Sequence, residues 1–295
     1  MFDVDTLFVV STRRGSYPVQ DIASAVAWSS PNNSHYTLIV DENQSDTPLL
    51  QDVAENVQLF SSNHSLDTPS GFSRAAAIHW AIDNGVTYRQ VISLSDTCLV
   101  LTQELGSFFL PHLNKDGLGV IGVQSRRPQI KQWREARSLL FNWKISLEGW
   151  ENPPISLCDD ILVMTPRFLS PLYQRKLINP DGCEKWPSDY GTYISWVCHM
   201  LGFFVVSWGY EDKPLPPLYV NHCHGQYLPP PQMLSQGFLL FSPANRVMSY
   251  SEADLRELYK RQRGEPAREL PRFGPVATGP EQRDAQQPNP EKPAT

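Results

Sequence analysis

The sequence predicts an α/β fold: a mostly parallel sheet flanked by helices, in a single domain with an irregular C-terminal half and a disordered tail. Three observations predict it. Short continuous apolar runs recur through the first half and stop in polar turns, as strands buried on both faces do. Segments with apolar residues at helical spacing separate them, and strands alternating with helices imply parallel pairing through right-handed crossovers. From Glu265 onward seven prolines, scattered charges and almost no apolar residues leave nothing to offset the entropy of ordering.

The elements follow in order. Thr6 to Val10 is the first strand, ending at Ser11-Thr12-Arg13-Arg14-Gly15. Ile22 to Trp28 is helical, and Tyr36 to Val40 is the second strand, ending at Asp41-Glu42-Asn43. Val57 to Phe60 is the third strand. The helix behind it, Ser70 to Asn84, is bounded by Thr68 as N-cap, Pro69 at the first helical position and Gly85 just past the end. Val91 to Leu94 is the fourth strand, running into Ser95-Asp96-Thr97. Thr102 caps a helix through Leu110, and Gly119 to Val123 is the fifth strand.

The second half is less regular. Helices are expected over Trp133 to Trp143, Arg167 to Leu177 and Tyr190 to Leu201, and strands over Ile161 to Met164 and Phe203 to Val206. Ser251-Glu252-Ala253-Asp254 has the pattern of a capping box opening a helix over 251–264. The domain is expected over 1–250 and the disordered tail over 265–295.

Composition narrows the function classes. A chain of 295 residues, 41% hydrophobic and 19% charged, can bury one large core. A formal net charge of -6 argues against broad binding of a phosphate backbone. No apolar stretch approaches the roughly 20 residues that span a bilayer, and Met1-Phe2-Asp3-Val4-Asp5 is acidic where a signal peptide is basic, so a cytoplasmic protein is expected. Five scattered cysteines without a Cys-x-x-Cys pair read as reduced small hydrophobes, not as a disulfide framework or zinc ribbon.

The fourth strand carries the chemistry. A strand that leaves a crossover helix and ends in an acidic, hydroxyl-bearing turn puts a carboxylate, Asp96, at the carboxyl edge of the sheet, where open α/β folds bind ligands. Taken with Val40-Asp41-Glu42, Gly71-Phe72-Ser73-Arg74-Ala75 and Leu94-Ser95-Asp96-Thr97 in this order, the chain resembles a nucleotide-sugar glycosyltransferase of the Rossmann-like GT-A fold over roughly residues 5–245, with a family-2-like arrangement. The resemblance implies a nucleotide-binding half over 1–125 and an acceptor half over 126–250. In such enzymes the fourth strand ends in Asp-x-Asp, whose carboxylates hold Mn²⁺ or Mg²⁺ against the diphosphate. Here Asp96 stands between Ser95 and Thr97 without a second aspartate.

Leu94 to Leu99 also resembles the Leu-Ser-x-x-Asp-x-Pro-Leu turn of the branching N-acetylglucosaminyltransferase and xylosyltransferase group, which works without a metal and leaves the diphosphate to arginine or lysine. The resemblance implies nucleotide-sugar contacts from Thr12, Arg13, Arg14, Asp41, Arg74, Ser95 and Asp96, the arginines as bidentate phosphate donors. It implies a metal set of Asp96 with His222 and His224 from His222-Cys223-His224-Gly225. Asp160-Ile161-Leu162-Val163-Met164-Thr165-Pro166-Arg167 resembles the strand and turn facing the acceptor. Trp186-Pro187-Ser188-Asp189-Tyr190-Gly191 resembles the Glu-Asp motif that supplies the base, with Ser188 in place of the first acid.

Asp189 at a helix N-terminus is thus the first candidate for the base that takes the proton of an acceptor hydroxyl in an inverting hexosyl or pentosyl transfer. Glu211 and Asp212, after Trp208-Gly209-Tyr210, are its rivals. Each candidate has a plainer role: Asp96 as a turn residue, Asp189 as a helix cap, the His pair as a loop element, and Trp143, Trp150, Trp186 and Trp208 as core rather than a sugar platform. The expected partners are a nucleoside-diphosphate sugar and a hydroxyl acceptor, a glycan or other polymer. Three alternatives stay open. They are a sugar-phosphate nucleotidyltransferase, a scaffold that kept the fold without the chemistry, and a transferase acting on modified DNA bases through Arg126, Arg127, Lys131, Arg134 and Arg137.

Overall fold

The computed structural model of the chain describes residues 2–12, 22–23, 26–27, 29–41, 50–61, 68–69, 71–95, 99–100, 105–124, 130–207, 219–220 and 240–241. Arg13, Arg14, Asp96, Thr102, Trp208, Glu211, Asp212, His222 and His224 lie outside the described residues, as do the helix expected over 251–264 and the tail expected over 265–295.

The expected α/β class is what the structure shows. The strands are β1 (Asp3–Thr12), β2 (His35–Asp41), β3 (Leu50–Ala54), β4 (Val57–Ser61), β5 (Thr87–Ser95), β6 (Leu99–Val100), β7 (Leu118–Gln124), β8 (Leu157–Met164), β9 (Phe204–Ser207), β10 (Tyr219–Val220) and β11 (Leu240–Phe241). The helices are α1 (Phe72–Asp83), α2 (Leu105–Phe108), α3 (Ile130–Asn142), α4 (Pro166–Gln174) and α5 (Tyr190–Met200). Eight strands form one sheet in the order β3-β4-β2-β1-β5-β8-β7-β9, and β10-β11-β6 form a second, small one.

The centre of the large sheet is parallel, β1 pairing with β2 and β5, and β2 with β4. Apolar residues on both faces of β1, β2 and β5 are inaccessible to solvent, which is why those strands read as unbroken apolar runs. Parallel pairing is interrupted at β8 and resumes between β7 and β9. β8 runs antiparallel to both β5 and β7, and β3 runs antiparallel to β4. The reason lies in the connection: α3 and the stretch 143–156, turned by Lys144 at φ 59 and Gly149 at φ 79, return the chain to the edge where β7 ended. Gln124 and Leu157 are partners there, so β8 enters the sheet from its carboxyl edge.

Several boundaries differ from expectation. α1 starts at Phe72, after Gly71 in a left-handed conformation (φ 90), not at the cap expected from Thr68 and Pro69. Its far end is as expected: Gly85 (φ 70) follows, and the amides of Gly85 and Val86 close on the carbonyls of Ile82 and Ala81. α2 ends at Phe108 and is followed by a 3₁₀ turn at Leu110–His112, while the cap expected at Thr102 lies outside the described residues. β3 and the strands of the small sheet were not foreseen, being too short to show a period.

The core between the sheet and α1, α4 and α5 is rich in aromatics. Trp186 stacks on Trp143 (5.8 Å between centroids, 25° between planes) and meets Tyr193 and Trp196 edge-on. Trp133 meets Trp196 in the same way, at 4.9 Å. Trp143 and Trp186 are therefore core residues, the plainer of their two readings.

Candidate active site at the carboxyl edge of the sheet

Parallel register brings the first expected residues together. Thr12 on β1 is the partner of Asp41 on β2, and Ser11 is the partner of Ser95 on β5. Thr12 and Ser95 are buried while Asp41 keeps part of its surface in solvent. These positions form one edge, and Asp96 follows Ser95 directly. β6 begins just beyond Asp96, β10 ends just before His222, and both belong to the small sheet.

β8 adds its amino end to the same edge. Leu94 is the partner of Ile161, and Ser95 on β5 and Asp160 on β8 follow one step further out along their strands at this edge. Asp159 precedes Asp160 and forms an ion pair with a buried arginine: Arg74 Nη2 stands 3.1 Å from Asp159 Oδ2, with the arginine side chain 1% exposed. Arg74 Nη1 donates to the Asp159 backbone carbonyl at 2.6 Å. With the side chain buried and both Nη groups engaged, Arg74 is an internal ion-pair partner of Asp159.

Asp189 reaches this edge from α5. It is the N-cap of that helix in extended conformation, and its Oδ1 accepts the Thr192 amide at 2.8 Å. Ser188, beside it, donates to the Thr192 hydroxyl at 3.2 Å. α5 is buried from Tyr190 through Cys198, and its two ends, the Asp189 cap and His199–Met200, keep part of their surface in solvent. Burial pushes the Asp189 carboxyl up to about 7, the negative charge of Asp159 adds to the rise, and hydrogen bonds from Thr192 oppose it. A carboxyl poised near neutrality beside a second carboxylate is suited to accept and release a proton.

Asp159 was not foreseen as a site residue. The signal for it was the pair Asp159-Asp160 at the start of an apolar strand, where a strand buried on both faces rarely holds consecutive acids. The expected metal ligands Asp96, His222 and His224 lie outside the described residues, and among the described residues no group of three or more His, Cys, Asp or Glu can hold a metal ion. Asp159, tied to Arg74, is a poor seat for Mn²⁺ or Mg²⁺. Free cysteines among the described residues are Cys158, Cys183 and Cys198. Among the described residues no helix is long and apolar enough to cross a membrane.

A cleft of about 330 Å³ opens elsewhere, lined by Arg89, Asn114, Leu118, Thr165 and Arg167 among others. Arg89 and Leu118 lie at the amino ends of β5 and β7 and Thr165 follows β8, so this cleft is at the edge opposite the carboxylates. Both of its arginines are paired, Arg89 with Asp5 at 3.1 Å and Arg167 with Asp116 at 3.0 Å. Geometry and chemistry favour the carboxyl edge as the site.

No family model matches the sequence. No curated protein matches it either. Among solved structures the chain is similar to a glycosyltransferase involved in glycosylation of the major capsid of PBCV-1, with 12% identity, 87% of this chain and 98% of that one covered, and a TM-score of 0.45. It is similar to the galactosyltransferase LgtC in complex with donor and acceptor sugar analogues, with 10% identity, coverage of 87% and 95%, and a TM-score of 0.44. It is also similar to mouse xyloside xylosyltransferase 1 in its apo form, with 11% identity, coverage of 83% and 98%, and a TM-score of 0.39. At identities of 10% to 12% and TM-scores of 0.39 to 0.45, what the chain does has to be argued from its own residues.

Proposed function

We propose that the chain transfers a sugar from a nucleoside-diphosphate donor to a hydroxyl of a glycan or other polymer, with inversion, and that Asp189 is the base. One observation carries the reading: a carboxyl held near neutrality at the start of α5 stands at the sheet edge to which β1, β2, β5 and β8 bring Thr12, Asp41, Ser95 and Asp160. That edge is where an open α/β sheet receives a nucleotide.

The acceptor oxygen attacks the anomeric carbon, the bond from that carbon to the diphosphate oxygen breaks, and the diphosphate departs with the electron pair. The acceptor proton passes to a carboxylate oxygen of Asp189, which later releases it to solvent. Thr12, Asp41 and Ser95 are assigned to the nucleotide side, and Asp160 to the acceptor side. Glu211 and Asp212 remain the rival base, Arg13, Arg14 and Asp96 the expected diphosphate contacts. A divalent cation at Asp96, His222 and His224 would neutralise the leaving charge.

The test is release of nucleoside diphosphate from a panel of nucleotide sugars by the wild type and by Asp189→Asn. Asparagine caps a helix as well as aspartate does, so the variant keeps the fold. Loss of a general base should lower kcat by about 10²- to 10⁴-fold. Full turnover by the variant rejects Asp189 as base. Binding of nucleotide sugars without turnover by either protein would instead favour the scaffold.

A further inference from the structure

Among the described residues Arg74 is the only buried Lys or Arg; both of its Nη groups engage Asp159, while its buried Nε has no hydrogen-bond partner among the described residues. Two glycines make that contact possible. A Cβ on Gly71 would stand 2.7 Å from Arg74 Nη2, 2.7 Å from Tyr190 Cβ and 3.1 Å from Asp159 Oδ2. A Cβ on Gly191 would stand 2.5 Å from the Cys158 carbonyl carbon and 2.6 Å from the Asp159 amide nitrogen. The starts of α1 and α5 therefore press onto the first residues of β8 with no side chain between them. Asp189, the cap of α5, adjoins Tyr190 and Gly191 in that junction.

We propose that Arg74 is a positioning residue for the base: by holding the Asp159 side chain fixed against the start of α5, it keeps that carboxylate beside Asp189, so that Asp189 takes the acceptor proton. The inference rests on the glycosyl-transfer reading and deepens it. An arginine paired to one member of a carboxylate cluster keeps that member charged. The next member then finds its own ionisation opposed and holds its proton to a higher pH. Asp160, on the same strand, acts on Asp189 in the same direction, while the amide and hydroxyl of Thr192 on α5 act against both. Tyr190 stays a neutral phenol beside them, because burial pushes its ionisation far above the ordinary range. Arg74 thus works through Asp159 and not on the phosphates.

The test titrates the Asp189 carboxyl by carbon-detected NMR in the full chain, assigned by its loss in Asp189→Asn, and needs no turnover. In Asp159→Asn the side-chain oxygen still accepts from Arg74, but the charge is gone. The Asp189 midpoint should fall by about one unit or more, and by more than in Asp160→Asn. An unmoved midpoint, or a larger effect from Asp160→Asn, overturns the inference. Arg74→Lys keeps the charge and loses the two-point grip. With donor sugars it should lower kcat about tenfold, leave donor KM unchanged and shift the pH–rate profile. A tenfold rise in donor KM with an unmoved profile assigns Arg74 to the phosphates and overturns the proposal. Full transfer by Asp189→Asn, with the titration shift intact, would count against the base and not against the electrostatic link, so the two failures are distinguishable.

Discussion

Asp189→Asn should change how stability depends on pH, and the sign follows from the direction of the shift. The Asp189 carboxyl is raised from its ordinary 3.8 to about 7 in the folded chain. The folded state therefore holds a proton that the unfolded chain gives up earlier. Stability from this group is complete below the unfolded value, declines as pH rises through the interval, and is fully lost above the folded value. A shift of about three units corresponds to a ceiling of about 4 kcal/mol. Coupling to Asp159 and the partial exposure of Asp189 reduce this, and about 2 kcal/mol is the working figure. Asparagine keeps the acceptor for the Thr192 amide and removes the titration.

The assay is urea unfolding followed by tryptophan fluorescence between about pH 5 and 8 for both proteins, with the slope on urea held common. The variant should gain about 2 kcal/mol on the wild type from the acid to the alkaline end of that range. Parallel stability curves would refute the reasoning, as would a wild type that gains on the variant as pH rises. Either result would mean that Asp189 is an ordinary helix cap with an ordinary carboxyl.

The remaining predictions concern the frame around it. Gly191→Ala puts a methyl within 2.7 Å of the Cys158 and Asp159 backbone, which cannot turn aside, and should destabilise by about 3 kcal/mol in urea unfolding. Gly71→Ala meets the movable end of Arg74 but adds a left-handed backbone at φ 90, and should cost about 2 kcal/mol by the same measurement. Trp186→Ala opens a cavity between Trp143, Tyr193 and Trp196 and should cost about 3 to 5 kcal/mol, with loss of near-ultraviolet circular dichroism. Asp116→Asn breaks the exposed pair with Arg167 and should leave the melting temperature unchanged within error, since exposed pairs contribute between zero and about 1 kcal/mol.

Local signals were readable where the physics is local. The apolar runs at Thr6, Tyr36, Val57, Val91 and Gly119 became strands because they are buried on both faces. The periods in α3 and α4 became helices that each bury one face, α5 is buried on all sides from Tyr190 through Cys198, and Asp189 capped α5 as its place before a helical period implied. The start of α1 was misread from Thr68 and Pro69 because good capping residues yielded to a close contact at Gly71 that no neighbour in sequence announces. Asp159 was overlooked although the pair Asp159-Asp160 at the start of an apolar strand marked it.

Taken alone, the order of residues determined the α/β class, the position of most elements and the presence of Asp189 at a helix start, since each depends on neighbours within one turn or one strand. Only the tertiary structure decided that β8 runs against its neighbours and that Arg74 faces inward to Asp159, 85 residues away in sequence. It also decided that burial, with the nearby charge of Asp159, raises the Asp189 carboxyl. Strand direction, ion-pair choice and carboxyl acidity are set by what packing brings within a few ångströms, and no local pattern encodes that proximity.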